Sequence, residues 1–172
     1  MLTCVDLGPA NAGLFCMSGF LIDLASLPGR SSLVSVEADS GDLGLPAAEW
    51  TGHVRGDLQV EKLGEKVSVR GELEAVTTLD CVRCLKPCQR RLRVPFEVYA
   101  ERSTGANRFD EQELERGHHI KFFDGRRLDL TEDAREALLL EVPMAPHCRE
   151  DCRGLCPRCG SDLNDGPCEC PQ

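Results

Sequence analysis

The sequence predicts an α+β fold: an antiparallel β-sheet, one main α-helix and a C-terminal cysteine-rich zinc knuckle. Three observations lead there. Between residues 20 and 99 the chain repeats short apolar runs and apolar/polar alternation at period two, the mark of half-buried strands. A single capped helical pattern stands at about 130–142. Six of the eleven cysteines crowd into the last quarter. The organisation expected is a flexible N-terminal extension (1–16), a β-rich core domain (17–146) and a metal-binding tail (147–172) packed on that core.

The elements follow in order. Residues 1–16 have no clear period, and Met17 is a candidate start, which leaves Cys4 and Cys16 as bystanders. Residues 20–24 are a short apolar run closed by Pro28-Gly29-Arg30, a turn signal. Residues 32–38 alternate in part, and 39–46 carry the Gly and Pro of a loop. Residues 50–60 and 66–75 alternate cleanly, with Leu63-Gly64-Glu65 as the turn between them. Residues 92–99 alternate again, and Pro95 within them marks an edge strand. The polar stretch 102–119, with its acids from Asp110 to Glu115, reads as a solvated loop. Asp129, or Thr131, can cap a helix whose Glu132 reaches back to the cap. Leu130, Ala134, Ala137, Leu138 and Glu141 fall on one helical face, widened by Leu139 and Leu140, and Pro143 ends it. No internal repeat is evident.

Composition bounds the function. A chain of 172 residues supports one domain, or one with a small appendage. Aromatics make up only 5%, so Leu, Val and Ala must build the core. The net charge of −9 repels phosphate backbone and suits basic protein partners. No apolar run reaches the roughly 18 residues a membrane span needs, and no basic leader precedes the first apolar stretch. The chain reads as cytoplasmic, where thiols stay reduced, and an odd cysteine count argues against a complete disulfide set.

The chemistry lies in the cysteines. Cys156-Pro157-Arg158-Cys159-Gly160 has the form of a zinc-ribbon turn, in which glycine lets the backbone turn its amides toward sulfur. Cys168 and Cys170 complete a tetrahedral set, with Cys152 as a possible replacement for one of them. Cys81 and Cys84 need partners from elsewhere, and Cys148 and Cys152 are the natural offer, with His147 as spare ligand. The implied cofactor is one or two structural Zn2+ ions, iron being the alternative from ligand type. Cys88 is a bystander. Arg83, Lys86, Arg90, Arg91 and Arg93 form a basic collar near the first pair, a candidate contact for RNA or another partner, which Arg149, Arg153 and Arg158 of the tail can extend. The scarcity of aromatics there argues against base stacking. Histidine is scarce (His53, His118, His119 and His147), and His118 and His119, in the polar loop, read as solvated. There is no Ser-His-Asp set, nucleophile elbow or phosphate loop, so neither an enzyme nor a small-molecule substrate is expected.

The motif Cys81-x-Arg83-Cys84-Leu85, then the apolar helix ending Leu138-Leu139-Leu140-Glu141-Val142-Pro143-Met144, then Cys152-Arg153-Gly154-Leu155-Cys156-Pro157-Arg158-Cys159-Gly160-Ser161-Asp162-Leu163-Asn164, resembles the YceD family, the large ribosomal RNA subunit accumulation proteins. The resemblance covers roughly residues 18–170. It implies a bacterial, cytoplasmic, non-enzymatic factor supporting large-subunit ribosomal RNA accumulation or ribosome assembly, binding that RNA, a ribosomal protein, or both. By position it carries over Cys81, Arg83 and Cys84, and Cys148, Cys152, Cys156 and Cys159. Two alternatives come from the residues themselves: a zinc-stabilised protein-interaction module without RNA contact, and a thiol redox sensor using Cys81 and Cys84.

Overall fold

The computed structural model describes residues 14–103 and 120–170. The acidic stretch from Asp110 to Glu115, His118 and His119 lie outside the described residues, as do residues 1–13. Among the described residues the protein is mostly β-sheet with one short helix. The strands are β1 (Leu14–Ser18), β2 (Leu21–Asp23), β3 (Ser31–Asp39), β4 (His53–Leu63), β5 (Lys66–Asp80), β6 (Pro87–Arg102), β7 (Ile120–Phe123) and β8 (Arg127–Asp129). The helix, α1, spans Thr131–Leu140.

The main sheet has the order β1-β3-β4-β5-β6-β7, and β2 pairs with β8 in a separate antiparallel ribbon. The expectation of a wholly antiparallel sheet needs correction, because β1 runs parallel to β3 and β7 parallel to β6. Parallel neighbours require a crossover of about a dozen residues or more. Residues 19–30, which carry β2, supply the one between β1 and β3. Neither sequence period nor turn chemistry reveals such a crossover. Leu14–Cys16, read as the end of an extension, belong to β1. β7 and β8, of four and three residues, are too short to show a period.

Period two sorts the side chains of the sheet. Val34 and Val36, Leu58 and Val60, Val69 and Leu73, and Val94 and Phe96 all face one side and are buried there. The β2–β8 ribbon covers that face with Ile22 and Leu128, the helix with Ala134 and Leu138, and the 40–50 loop with Leu43, Leu45 and Trp50. The opposite face is exposed and laced with ion pairs such as Arg55–Glu37, Arg70–Glu97 and Arg93–Glu74. At Pro95 the strand β6 has a neighbour on one side only, since β7 pairs no further back than Tyr99. The missing N–H therefore costs no ladder bond there.

The helix start differs from the expected capping box. Leu130 is the cap residue and makes no side-chain cap bond. The Asp129 carboxylate instead accepts from the Thr131 N–H at 2.9 Å, and that bond, to the hydroxyl as well as the amide, holds the carboxyl below its ordinary range. Glu132 turns along the helix to Arg135 rather than back to the cap. Leu138 is fully buried, but Leu140, counted as widening the apolar face, is 86% exposed.

β5 and β6 pair along their whole length, from Lys66↔Glu101 to Asp80↔Pro87. β4 accompanies β5 only as far as Glu74. The end of this hairpin therefore runs past β4, with Glu49 and Trp50 beside it at Thr78 and Thr77, and carries Cys81 and Cys84 at its turn. Substituting Leu138→Ala, which empties a fully buried helix position, is expected to cost about 2–5 kcal/mol by urea unfolding. A change under about 0.5 kcal/mol, typical of surface substitutions, would mean the helix does not close the core.

Candidate metal centres

Two clusters of four cysteines stand near the C-terminal end of the chain. Cys81, Cys84, Cys148 and Cys152 form one, and Cys156, Cys159, Cys168 and Cys170 the other; within each, all sulfurs lie within 4.8 Å of one another. The separations Cys81–Cys152 (3.8 Å), Cys84–Cys148 (3.7 Å) and Cys156–Cys168 (3.4 Å) are far too long for disulfides. They fit a tetrahedron of thiolates, whose edge is about 3.8 Å for metal–sulfur bonds of about 2.3 Å. Each quartet can hold a metal ion. His147, the spare ligand, belongs to neither quartet, and its carbonyl accepts from Arg90. Cys152 joins the first quartet, leaving the tight Cys168/Cys170 bite intact in the second. Cys88 stays apart, its thiol donating to the Leu79 carbonyl.

The two Cys-x-x-Cys turns are built alike. The Cys81 N–H donates to the Lys86 carbonyl and the Leu85 N–H to the Cys81 carbonyl. In the second turn the Cys156 N–H donates to Ser161 and the Gly160 N–H to Cys156, at the same spacings. The residue after the second cysteine has a positive φ in both, 73° at Gly160 and 58° at Leu85. So a short repeat of Cys-x-Arg-Cys does exist, hidden in sequence by its brevity. Leu85 is the one non-glycine with positive φ among the described residues, a conformation costing about 1–2 kcal/mol for an L side chain.

Main-chain amides aim at sulfur. The Cys148 N–H first, then those of Cys84 and Arg83, hold Cys81 down to about 6. The Ser161 hydroxyl and N–H bring Cys159 to about 6, and the Cys159 and Arg158 amides lower Cys156. At Cys84 the Lys86 amide pulls the thiol down, but burial and the other thiols outweigh it and leave it raised. Burial, then Cys152 and Cys84, push Cys148 up to about 12, and Cys159 with burial does the same to Cys170. In each quartet some sulfurs ionise readily while a neighbour resists, because adjacent thiolates repel. A cation at the centre removes that conflict and deprotonates all four.

The first quartet joins distant parts of the chain: 64 residues separate Cys84 from Cys148 and 71 separate Cys81 from Cys152. Around it lies a small buried cluster of Cys81, Cys84 and Cys152, with only Leu155 packed against it. Apolar burial is therefore slight here. Polar contacts complete the seam. The Arg83 guanidinium donates to the Cys152 carbonyl at 2.8 Å, and the Leu155 N–H to the Arg83 carbonyl at 3.0 Å. The Val82 N–H donates to Pro146, and Lys86 pairs with Asp162 at 2.6 Å, an ion pair that holds Asp162 down to about 2. Gly154 passes so close that an added Cβ would stand 2.8 Å from the Arg83 carbonyl oxygen.

This reassigns most of the basic collar. Arg83, Lys86 and Arg90 hold the tail, and Arg93 pairs with Glu74 on the outer face of the sheet. Arg91 has no ion pair among the described residues. Of the tail guanidiniums, Arg149 binds Asn164 and Asp151. Asn164 itself was not singled out from sequence, yet its amide donates to Asp162 and to the Cys152 sulfur (3.5 Å), while its oxygen accepts from Arg149 and the Arg153 N–H. The signal available was an Asx pair, Asp162 and Asn164, directly after a cysteine turn.

A family model for the large ribosomal RNA subunit accumulation protein YceD matches residues 69–172, more than half the chain. The chain belongs to the YceD family. An uncharacterized protein of Mycobacterium leprae is 36% identical over 121 residues, covering 70% of this chain and 54% of its own. One of Mycobacterium tuberculosis is 33% identical over 148 residues, covering 86% of this chain and 64% of its own. A maize chloroplast protein named large ribosomal RNA subunit accumulation protein YCED homolog 1 is 23% identical over 172 residues, covering 86% of this chain and 59% of its own. The chain thus spans between about half and two thirds of the length of these relatives. No solved structure matches it.

Titration of the reduced, metal-free chain with Co2+ is expected to give thiolate charge-transfer absorption saturating at two ions per chain, and at one in Cys152→Ser. No absorption, or saturation at one ion in the wild-type chain, would contradict two separate sites; saturation at two ions in Cys152→Ser would mean that the first site does not need Cys152. Gly154→Ala should speed metal loss from the first site to a chelator, because the new methyl meets backbone at Arg83; an unchanged rate would mean that seam is not tight.

Proposed function

We propose that this chain is a non-enzymatic factor supporting accumulation of large-subunit ribosomal RNA, with Zn2+ in both cysteine quartets holding residues 147–172 on the β-rich core of residues 17–146. The family match supports the first part. The observation that supports the second is the meeting of four thiols from the hairpin turn and the tail. Closing a loop of 64 residues costs about 4 kcal/mol plus a constant. A structural zinc site releases about 10–16 kcal/mol in peptides, enough to outweigh that cost. A four-thiolate set has no open position for substrate or water, which suits structure rather than catalysis.

The partner we favour is a basic ribosomal protein. Two tetrathiolate zinc sites add about four negative charges to a chain already at −9. Arg83, Lys86 and Arg90 sit where they offset that charge and have intramolecular partners. Contact with RNA through the collar is therefore the second reading, resting on Arg91 and the exposed edges of its neighbours. No helix among the described residues is long and apolar enough to cross a membrane.

Depleting the protein in its host should lower large-subunit ribosomal RNA relative to small-subunit RNA. The wild-type gene should restore the ratio and the Cys81→Ser/Cys84→Ser double variant should not. An unchanged ratio on depletion would overturn the proposed role. Full restoration by the double variant would overturn the need for the first metal site.

A further inference from the structure

The first cysteine turn carries a side chain that the fold does not need. Leu85 sits at φ 58° and is 65% exposed. Gly160 holds the equivalent place in the second turn, with the same hydrogen bond and no strain. A left-handed position favours glycine, so leucine there gives up stability and exposes apolar surface. Val82, in the same turn, is 49% exposed. Its N–H is bonded to Pro146, which brings the fully exposed Met144 within two residues of that contact.

Charge narrows what can cover this tip. Asp80, next to Cys81, and Glu150, between Cys148 and Cys152, are exposed and have no ion pair among the described residues. Of the cations of the turn and the tail beside it, Arg83, Lys86, Arg90 and Arg149 are engaged within the chain, while Arg153, and Arg91 further back along β6, have no ion pair among the described residues. Leucine and valine give a nucleic acid neither a cation for phosphate nor a ring for stacking. They do give a protein an apolar anchor, with the carboxylates as a complementary rim.

We propose that Leu85, with Val82, forms a docking surface for a protein segment that presents an apolar side chain between lysines or arginines. This rests on the reading of the chain as a factor acting with a basic ribosomal protein, and names the surface that would meet it. The contact is made at the far end of the β5–β6 hairpin, where the metal-held turn presents both side chains.

The test uses the full, metal-loaded chain and two probes from the same host: total large-subunit protein freed of RNA, and large-subunit RNA freed of protein. Wild type should bind a component of the protein probe. Leu85→Gly should weaken that binding about tenfold or more, as loss of an interface anchor does. Its urea midpoint and metal content should hold or rise, since glycine suits the backbone. Leu85→Met should keep the binding. Undiminished binding by Leu85→Gly, a fall in its urea midpoint or metal content, or binding by wild type to the RNA probe alone would each overturn the docking surface. In the depleted host, restoration of the RNA ratio by Leu85→Gly would sink this surface and leave the proposed role standing. A depleted host with a normal ratio would sink the role, while the binding assay still decides the surface.

Discussion

The structure depends on thiols from the turn of a long hairpin meeting thiols that arrive more than sixty residues later. Strand pairing and apolar burial explain the sheet, the β2–β8 ribbon and the helix. They do not explain the tail, whose buried cluster consists of Cys81, Cys84 and Cys152. Without an ion those sulfurs are free thiols with conflicting ionisation. With one they become the shortest link between two ends of the fold, and the tail gains a fixed seat.

The polar contacts around the quartet follow from that link. Arginine and lysine beside a site that gathers negative sulfur offset its charge, and their hydrogen bonds to Cys152, His147 and Asp162 set the seam's register. Asn164 ties Cys152, Arg149 and Asp162 into one network beside the first quartet. A basic stretch that suggests nucleic acid in sequence thus works within the fold. Beside those engaged cations the hairpin turn exposes Leu85, Val82 and the carboxylate of Asp80, which turns attention to protein partners.

Much of this was legible in the sequence. Alternation placed the cores of β3, β4, β5 and β6, and the caps and Pro143 placed the helix within two residues at each end. Cysteine spacing singled out the same two groups of four that the structure gathers. What stayed hidden has physical reasons. The parallel pairings of β1 and β7 depend on crossovers, and tertiary pairing alone makes strands of three or four residues. Leu140 lies in an apolar run but points outward, since a ten-residue helix buries only one stripe. The destinations of Arg83, Lys86 and Arg90 depend on where the tail docks, which no local pattern encodes. The role of Asn164 arises only once the second turn is folded.

The most direct test of the metal link is cadmium-113 NMR of the chain loaded with two equivalents of Cd2+, correlating each cadmium with the β protons of its cysteines. The account predicts one cadmium resonance coupled to Cys81, Cys84, Cys148 and Cys152 together, and a second coupled to Cys156, Cys159, Cys168 and Cys170. A spectrum in which every cadmium couples only to cysteines of residues 147–172, with none on Cys81 and Cys84, would contradict it.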